Sequence, residues 1–156
     1  MDVTNAFLQG DIEEQLYMTQ PPGFLSEQNT SAVCRLRKSL YGLKQAPQAW
    51  SAKITQQLRK MGFTPSKLDS SLFVWQGQYG PVSLLLYVDD LVIIATDLKE
   101  IRRIKSQLVA SCEMKDLGDL HYFLGLEVVR TPEGILIIQR HYVVNMHALQ
   151  VRDGKL

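Results

Sequence analysis

Cysteine is scarce in this chain: Cys34 and Cys112 are the only two in 156 residues, and they form no CxxC pair. A disulfide-dense secreted scaffold is thereby excluded, and two buried, reduced thiols in an intracellular protein are expected. Histidine is equally thin. His121, His141 and His147 show no ligand spacing such as HExxH, and no cysteine joins them, so no structural zinc site is expected. Long apolar runs are missing as well. The longest, Val82 to Ala95, is broken by Asp89 and Asp90, whereas a membrane-crossing helix needs about 20 apolar residues. The chain opens without a charged segment leading into an apolar one, so neither a secretory signal nor a membrane partner is expected.

One further absence is local. No Asp or Glu occurs from Gln28 to Leu68, while Arg35, Arg37, Lys38, Lys44, Lys53, Arg59, Lys60 and Lys67 all fall there. Of seventeen basic residues eight lie in this segment, so the remainder carries nine against sixteen acidic ones, a balance of −7 that the overall +1 conceals. Such one-sided charge suits a surface that meets a polyanion, and it equally suits a solvated helix face.

What is present is an ordinary globular composition, 46% hydrophobic and 21% charged, in a length that fits one domain with a real core. The stretch Gln20-Pro21-Pro22-Gly23-Phe24 and the polar residues to Ser31 read as a loop, since consecutive prolines neither donate to a sheet nor continue a helix. Val33 to Arg37 alternates like a short strand. Pro47 sits where a first helical turn tolerates it, and Trp50, Ile54, Leu58 and Met61 follow at the spacing of one helix face, with Gly62 as a stop. Leu72 to Trp75, Val82 to Tyr87 and Leu91 to Ala95 read as strands, the first two separated by Gly77 and Gly80-Pro81. Asp97 is placed to cap a helix, with Glu100 completing a box-like pair and Ile101, Ile104 and Leu108 as the buried stripe. Tyr122 to Val129 and Ile135 to Gln139 read as strands joined by a turn at Thr131-Pro132-Glu133-Gly134, and the tail from Arg140 is weakly helical. The pattern predicts an α+β fold, an antiparallel sheet with helices packed on one face.

The sharpest chemical feature is the pair Asp89-Asp90, midway between two strongly β-forming runs. Desolvating an unpartnered carboxylate costs several kcal/mol, on the order of a buried polar group or more, so the pair needs a hairpin tip or a bound cation. An exposed Asp-Asp turn satisfies the first need; Mg²⁺, which takes one or two carboxylates plus water and phosphate oxygens, satisfies the second. A third carboxylate, Asp2, heads the apolar stretch Asp2-Val3-Thr4-Asn5-Ala6-Phe7-Leu8, expected to pair as a strand beside that hairpin. Carboxylates side by side on two strands are the layout of a two-metal phosphoryl-transfer site.

Tyr87-Val88-Asp89-Asp90 resembles the YxDD motif of reverse transcriptases, and Asp2-Val3-Thr4-Asn5-Ala6-Phe7 resembles their first aspartate motif. With Tyr17-Met18-Thr19-Gln20-Pro21-Pro22-Gly23-Phe24, Ser39-Leu40-Tyr41-Gly42-Leu43-Lys44-Gln45-Ala46-Pro47-Gln48-Ala49-Trp50 and Tyr122-Phe123-Leu124-Gly125-Leu126-Glu127-Val128, the ordered set resembles the copia-type retrotransposon polymerases, from Asp2 to about Tyr142. The resemblance implies a reverse-transcriptase palm. It implies two Mg²⁺ (or Mn²⁺) ions held by Asp2, Asp89 and, less directly, Asp90, which would be the catalytic carboxylates. Backbone amides of Asn5 and Ala6 would approach a triphosphate. Phe7 would exclude a ribose 2′-hydroxyl, though its place in a core is the plainer reading. Gln45 would support the incoming nucleotide and the template. Leu124-Gly125 would hold the primer end. Lys115 would protonate pyrophosphate, against the simpler reading of an exposed lysine at a helix end. Partners implied are an RNA or DNA template-primer, deoxynucleoside triphosphates and the rest of a polyprotein.

The resemblance covers a palm core, 1–142, without the family's fingers, thumb or RNase H, followed by a divergent tail, 143–156. Asp2, so close to the first residue, is expected to fray unless a sheet holds it, and the isolated chain is expected to polymerise little. Two rival readings stand beside the polymerase. One is a non-catalytic remnant that folds and binds nucleic acid or a partner. The other is a ferredoxin-like RNA-binding module that stacks bases on Phe73 and Trp75.

Overall fold

A computed structural model describes residues 1–25 and 31–140. The expected helical tail beyond Arg140, the divergent segment 143–156, His141, His147 and the middle of the polar loop lie outside the described residues. Packing divides the chain into two compact units, Met1–Asp116 and Leu117–Leu156.

The first unit begins with β1 (Asp2–Val3) and α1 (Ala6–Gln9), followed by β2 (Tyr17–Thr19) and β3 (Val33–Arg35), which pair with each other. Next come α2 (Ala46–Lys60), β4 (Thr64–Pro65), β5 (Leu72–Gly77), β6 (Gly80–Tyr87), β7 (Asp90–Ala95), α3 (Leu98–Ser111) and β8 (Met114–Lys115). Six of these strands form one antiparallel sheet in the order β4-β5-β6-β7-β1-β8. The first strand of the chain is therefore inserted between the seventh and the eighth.

Helix α2 forms as its pattern predicts. Pro47 lies in the first turn, Trp50, Ile54 and Leu58 are buried, and Gly62 with φ 96° ends the helix at a conformation L-residues avoid. Met61, expected as the fourth member of the stripe, is the C-cap and only packs against the core edge. At the start of α3 the Asp97 carboxylate accepts from Lys99 N at 2.6 Å. The expected capping box does not form. Glu100 is buried and accepts instead from Gln78 N at 3.1 Å and Arg103 Nε at 3.0 Å, because the β5–β6 turn brings it an unpaired amide. Ile104 and Leu108 are fully buried, whereas Ile101 is only half-buried.

Strand alternation sends Phe73, Val82, Leu84, Leu91, Val3 and Met114 to one side of the sheet, where they form a single core with Trp50, Ile54, Leu58, Ile104 and Leu108 of the two long helices. The domain is α+β, with α2 and α3 sharing that core on one face. Phe73 is buried in it, and Trp75 packs 6.0 Å from Phe63 with the Arg103 guanidinium 4.6 Å from its ring. Neither ring stands on an open surface to stack bases, which removes the sequence feature behind the ferredoxin-like alternative.

Two strand expectations are corrected, and three strands were not expected at all. The strand expected over Asp2–Leu8 stops at Val3, because Asn5 adopts φ 50° and ψ 51° and turns the chain into α1. Strands β2, β4 and β8 carry no signal in the sequence, since two or three residues cannot display a period. Tyr122–Val129 is not one strand. In the second unit it divides into β9 (Tyr122–Phe123) and β10 (Leu126–Thr131), with β11 (Gly134–Ile138) completing a sheet of order β11-β10-β9. Phe123 pairs with Leu126, so Leu124-Gly125 is a two-residue turn with φ 51° and 79°, the twist a tight hairpin prefers.

Leu84 is fully buried at the centre of the larger sheet, whereas Leu68 is 99% exposed. Leu84→Ala is expected to lower unfolding free energy by about 2–5 kcal/mol, and Leu68→Ala by less than about 0.5 kcal/mol. Urea denaturation of the two variants measures the difference.

Candidate active site

The insertion of β1 assembles the carboxylates. Tyr87 pairs with Asp90, Asp90 with Asp2, and Asp2 with Lys115, so four residues from four strands form one row across the sheet. Residues directly opposite in antiparallel strands project to the same face with Cβ atoms about 4.5–5.5 Å apart. Their chain neighbours Val3, Leu91 and Met114 are buried against the helices, so the row lies on the sheet's other face. Main-chain bonds hold the first strand on both sides. Val3 N donates to Asp89 O at 2.8 Å, Leu91 N to Met1 O at 2.9 Å, and Thr4 N to Glu113 O at 2.9 Å. Asp2 is thus paired to β7 and β8 and half-buried, which answers the expectation of fraying.

Asp89 stands exposed in the two-residue turn Val88-Asp89 that joins β6 to β7. Val88 there has φ 53°, a conformation that is a genuine outlier for a β-branched residue. Its carbonyl accepts from the Trp50 indole Nε1 at 2.6 Å, and the next carbonyl, Asp89 O, accepts from Val3 N. Among the described residues, Asn5, Val88 and Leu124 are the non-glycine residues with positive φ. Each lies inside one of the motifs read from the sequence. Strained backbone of this kind persists where the surroundings over-determine it, and it gathers at functional sites.

Burial raises the pKa of Asp90 above the ordinary aspartate value, and the charges of Asp89 and Asp2 raise it further. This concentration of negative charge is what a divalent cation would relieve. The donor chemistry fits a hard cation that takes one or two carboxylates and completes its shell with water and phosphate oxygens. Among the described residues, no three His, Cys, Asp or Glu side chains converge into a ready-made ion cage. An ion here would draw on part of the carboxylate set and on oxygens from outside the chain.

The other residues singled out are distributed as follows. Asn5 is exposed at the turn after β1, and Ala6 is buried at the start of α1. Phe7 is half-buried, with its ring 5.1 Å from that of Tyr41, and its carbonyl accepts from the buried Ser39 hydroxyl. At Gly10, just beyond, a Cβ would lie 2.9 Å from Trp50 N, so any side chain there would force α1 and α2 to shift apart. Gln45 immediately precedes α2 and donates to Glu14 Oε2 at 3.1 Å. Lys115 is exposed as expected, but it belongs to strand β8 opposite Asp2 and not to a helix end. Leu124 and Gly125 belong to the second unit's first turn. Of the basic segment, Lys38 and Lys53 both pair with Asp11, at 2.9 and 3.1 Å.

Two contacts of this region carried no sequence signal. The Gln9 amide donates to Thr4 O at 2.9 Å and Glu113 O at 3.1 Å, and it accepts from Glu113 N at 3.3 Å, so it stitches α1 to the segment before β8. The Trp50 indole was legible only as a core side chain. Its contact with the hairpin depends on a fold that nothing local encodes.

A family model described as reverse transcriptase (RNA-dependent DNA polymerase) matches residues 1–151. The chain belongs to that family. Its relatives place it among the copia-type Pol polyproteins. It is similar to the retrovirus-related Pol polyprotein from transposon RE2 of Arabidopsis thaliana, 43% identical over 95% of this chain and 10% of the relative. It is also similar to the putative transposon Ty5-1 protein of Saccharomyces cerevisiae, 40% identical over 86% of this chain and 44% of the relative. The corresponding polyprotein from transposon TNT 1-94 of Nicotiana tabacum is 38% identical over 92% of this chain and 11% of the relative. The chain thus spans about a tenth of the Arabidopsis polyprotein it matches. No solved structure matches. No described helix is long and apolar enough to cross a membrane.

The raised pKa of Asp90 has a consequence for stability. The native state holds this proton more tightly than the unfolded chain, whose aspartate titrates at about 3.9. Its contribution to stability is full below that value and is lost as pH rises through the folded pKa. In metal-free buffer the thermal midpoint of Asp90→Asn is therefore expected to exceed that of the parent at pH 7, and the difference to vanish at acidic pH. Melting curves across that range measure it.

Proposed function

We propose that this domain is the palm of an RNA-directed DNA polymerase and carries the carboxylates of a two-metal nucleotidyl transfer. The observation that supports the reading most is the register that sets Asp2 between Asp90 and Lys115 beside the Asp89 turn. In the reaction a primer 3′-hydroxyl oxygen attacks the α-phosphorus of a deoxynucleoside triphosphate, a P–O bond forms, and pyrophosphate leaves. Two Mg²⁺ or Mn²⁺ ions, when bound, make that hydroxyl more acidic and neutralise charge on the departing pyrophosphate. Asp2 and Asp89 are the principal metal-holding carboxylates in this reading, with Asp90 adding charge from the same row. Lys115, across from Asp2, delivers the proton that pyrophosphate takes up in this reading. The backbone at Asn5 and Ala6 faces the triphosphate, Phe7 lies against the deoxyribose, and Gln45 supports the nucleotide and template. Leu124-Gly125 holds the primer end. Template-primer, deoxynucleoside triphosphates and the remainder of a Pol polyprotein are the partners.

Primer extension on poly(rA) with an oligo(dT) primer and Mg²⁺ or Mn²⁺ tests the reading. The isolated domain is expected to incorporate little, and what incorporation it shows is expected to fall by about 10²-fold or more in Asp89→Asn, the scale on which loss of a transition-state stabilising group is felt. Incorporation that Asp89→Asn leaves unchanged would overturn the reading, and template-primer binding with neither incorporation nor Mn²⁺ binding would favour a non-catalytic remnant instead.

The basic segment makes a separate prediction. Affinity for template-primer is expected to fall steeply between low and moderate salt, because each neutralised phosphate releases counterions. Substituting Lys44, Arg59 and Lys60 by alanine should flatten that dependence by about 0.9 in log–log slope for every duplex phosphate that the variant no longer neutralises. An affinity that ignores salt would remove the segment as the binding surface.

A further inference from the structure

The geometry points to Trp50 as a positioning residue for Asp89: its indole N–H holds the strained Val88 backbone and so sets where the carboxylate stands. Three observations meet at this point. Val88 occupies φ 53°, which a valine does not hold without support. The indole of Trp50, a residue only 2% exposed, reaches the Val88 carbonyl at 2.6 Å from the second turn of α2. The neighbouring carbonyl, Asp89 O, is taken by Val3 N of the strand that bears Asp2. Both carbonyls of the turn are therefore tied to other elements, one to a helix and one to β1, while the Asp89 side chain remains exposed between them.

The indole is suited to this role because it is a donor only, carried on a large ring that packs in the core. A buried indole N–H needs an acceptor in any case, and here the acceptor is the strained turn carbonyl that precedes Asp89. Helix α2 also starts next to Gln45, so a single rigid element joins the residue proposed to meet the nucleotide to the turn proposed to hold metal. The functional part of this assignment rests on the polymerase reading. The structural part does not, and the two are separable by experiment.

Trp50→Phe keeps an aromatic ring in the core and removes the donor. Two quantities are read: hydrogen-exchange protection of the Val3 amide, whose acceptor is Asp89 O, and the affinity for Mn²⁺ followed by electron paramagnetic resonance. Both are expected to fall about tenfold in Trp50→Phe. Adding Val88→Gly, which relieves the positive-φ penalty, is expected to restore them, an outcome that poorer core packing alone would not produce. Val3 protection within twofold of the parent, or a loss that Val88→Gly fails to repair, overturns the assignment. Mn²⁺ binding unchanged in Asp89→Asn, together with a repaired Val3 protection, counts against the metal reading and leaves Trp50 as the holder of the turn. Should Trp50→Phe fold poorly, the parent protein decides the matter. Its Trp50 indole proton is expected to exchange far more slowly than a free indole, and exchange at the free rate overturns the proposal.

Discussion

Everything distinctive about this domain depends on a two-residue strand being held between two others. Met1 to Val3 bonds to β7 on one side, and Thr4 bonds to the residue before β8 on the other. Were β1 absent from that slot, β7 would be an edge, β8 would have no partner in the sheet, and Asp2 would stand nowhere near Asp90. Hydrogen bonding alone does not explain the arrangement, because two residues offer few bonds. The anchor is Val3, buried on the helix side beside Leu91 and Met114, which makes the insertion part of the core. A slip of one residue would send Val3 outward and Asp2 into the core, and both changes are unfavourable.

The same geometry concentrates negative charge, and Lys115 is the single cation in the row of four. The raised pKa of Asp90 reflects it. Burial and repulsion of this kind oppose folding, so the site is held by structure elsewhere: the fully buried stripe of α2, the core face of the sheet and the ties to the hairpin turn. The positive φ of Val88 is tolerated for the same reason. Stability gathered in the core maintains a surface arrangement that is costly by itself.

Much of the fold was legible in the residues. Helix α2 announces itself through Pro47, the Trp50-Ile54-Leu58 spacing and Gly62, and the β6–β7 hairpin through two apolar runs around Asp89-Asp90. The misreadings have three causes. Asn5 and Leu124 interrupt stretches of good β-formers with a left-handed residue, and neither Asn nor Leu marks such a turn as Gly does. Glu100 had the right spacing for a capping box, yet the Gln78 amide was a partner that only the packed β5–β6 turn supplies. Lys115 was read as the end of a helix because a two-residue strand leaves no period to see.

The residue types and their order determined the family, the presence of three carboxylates in two motifs, and the helix stripes that build the core, since periodicity and short motifs are local properties. Neighbourhood was decided by tertiary structure alone. Asp2 meets Asp90 across some ninety positions of chain, and Trp50 meets Val88 across thirty-eight, through pairings that exist only once the sheet and α2 share one core. No local pattern encodes such contacts, because they follow from how buried faces are jointly satisfied.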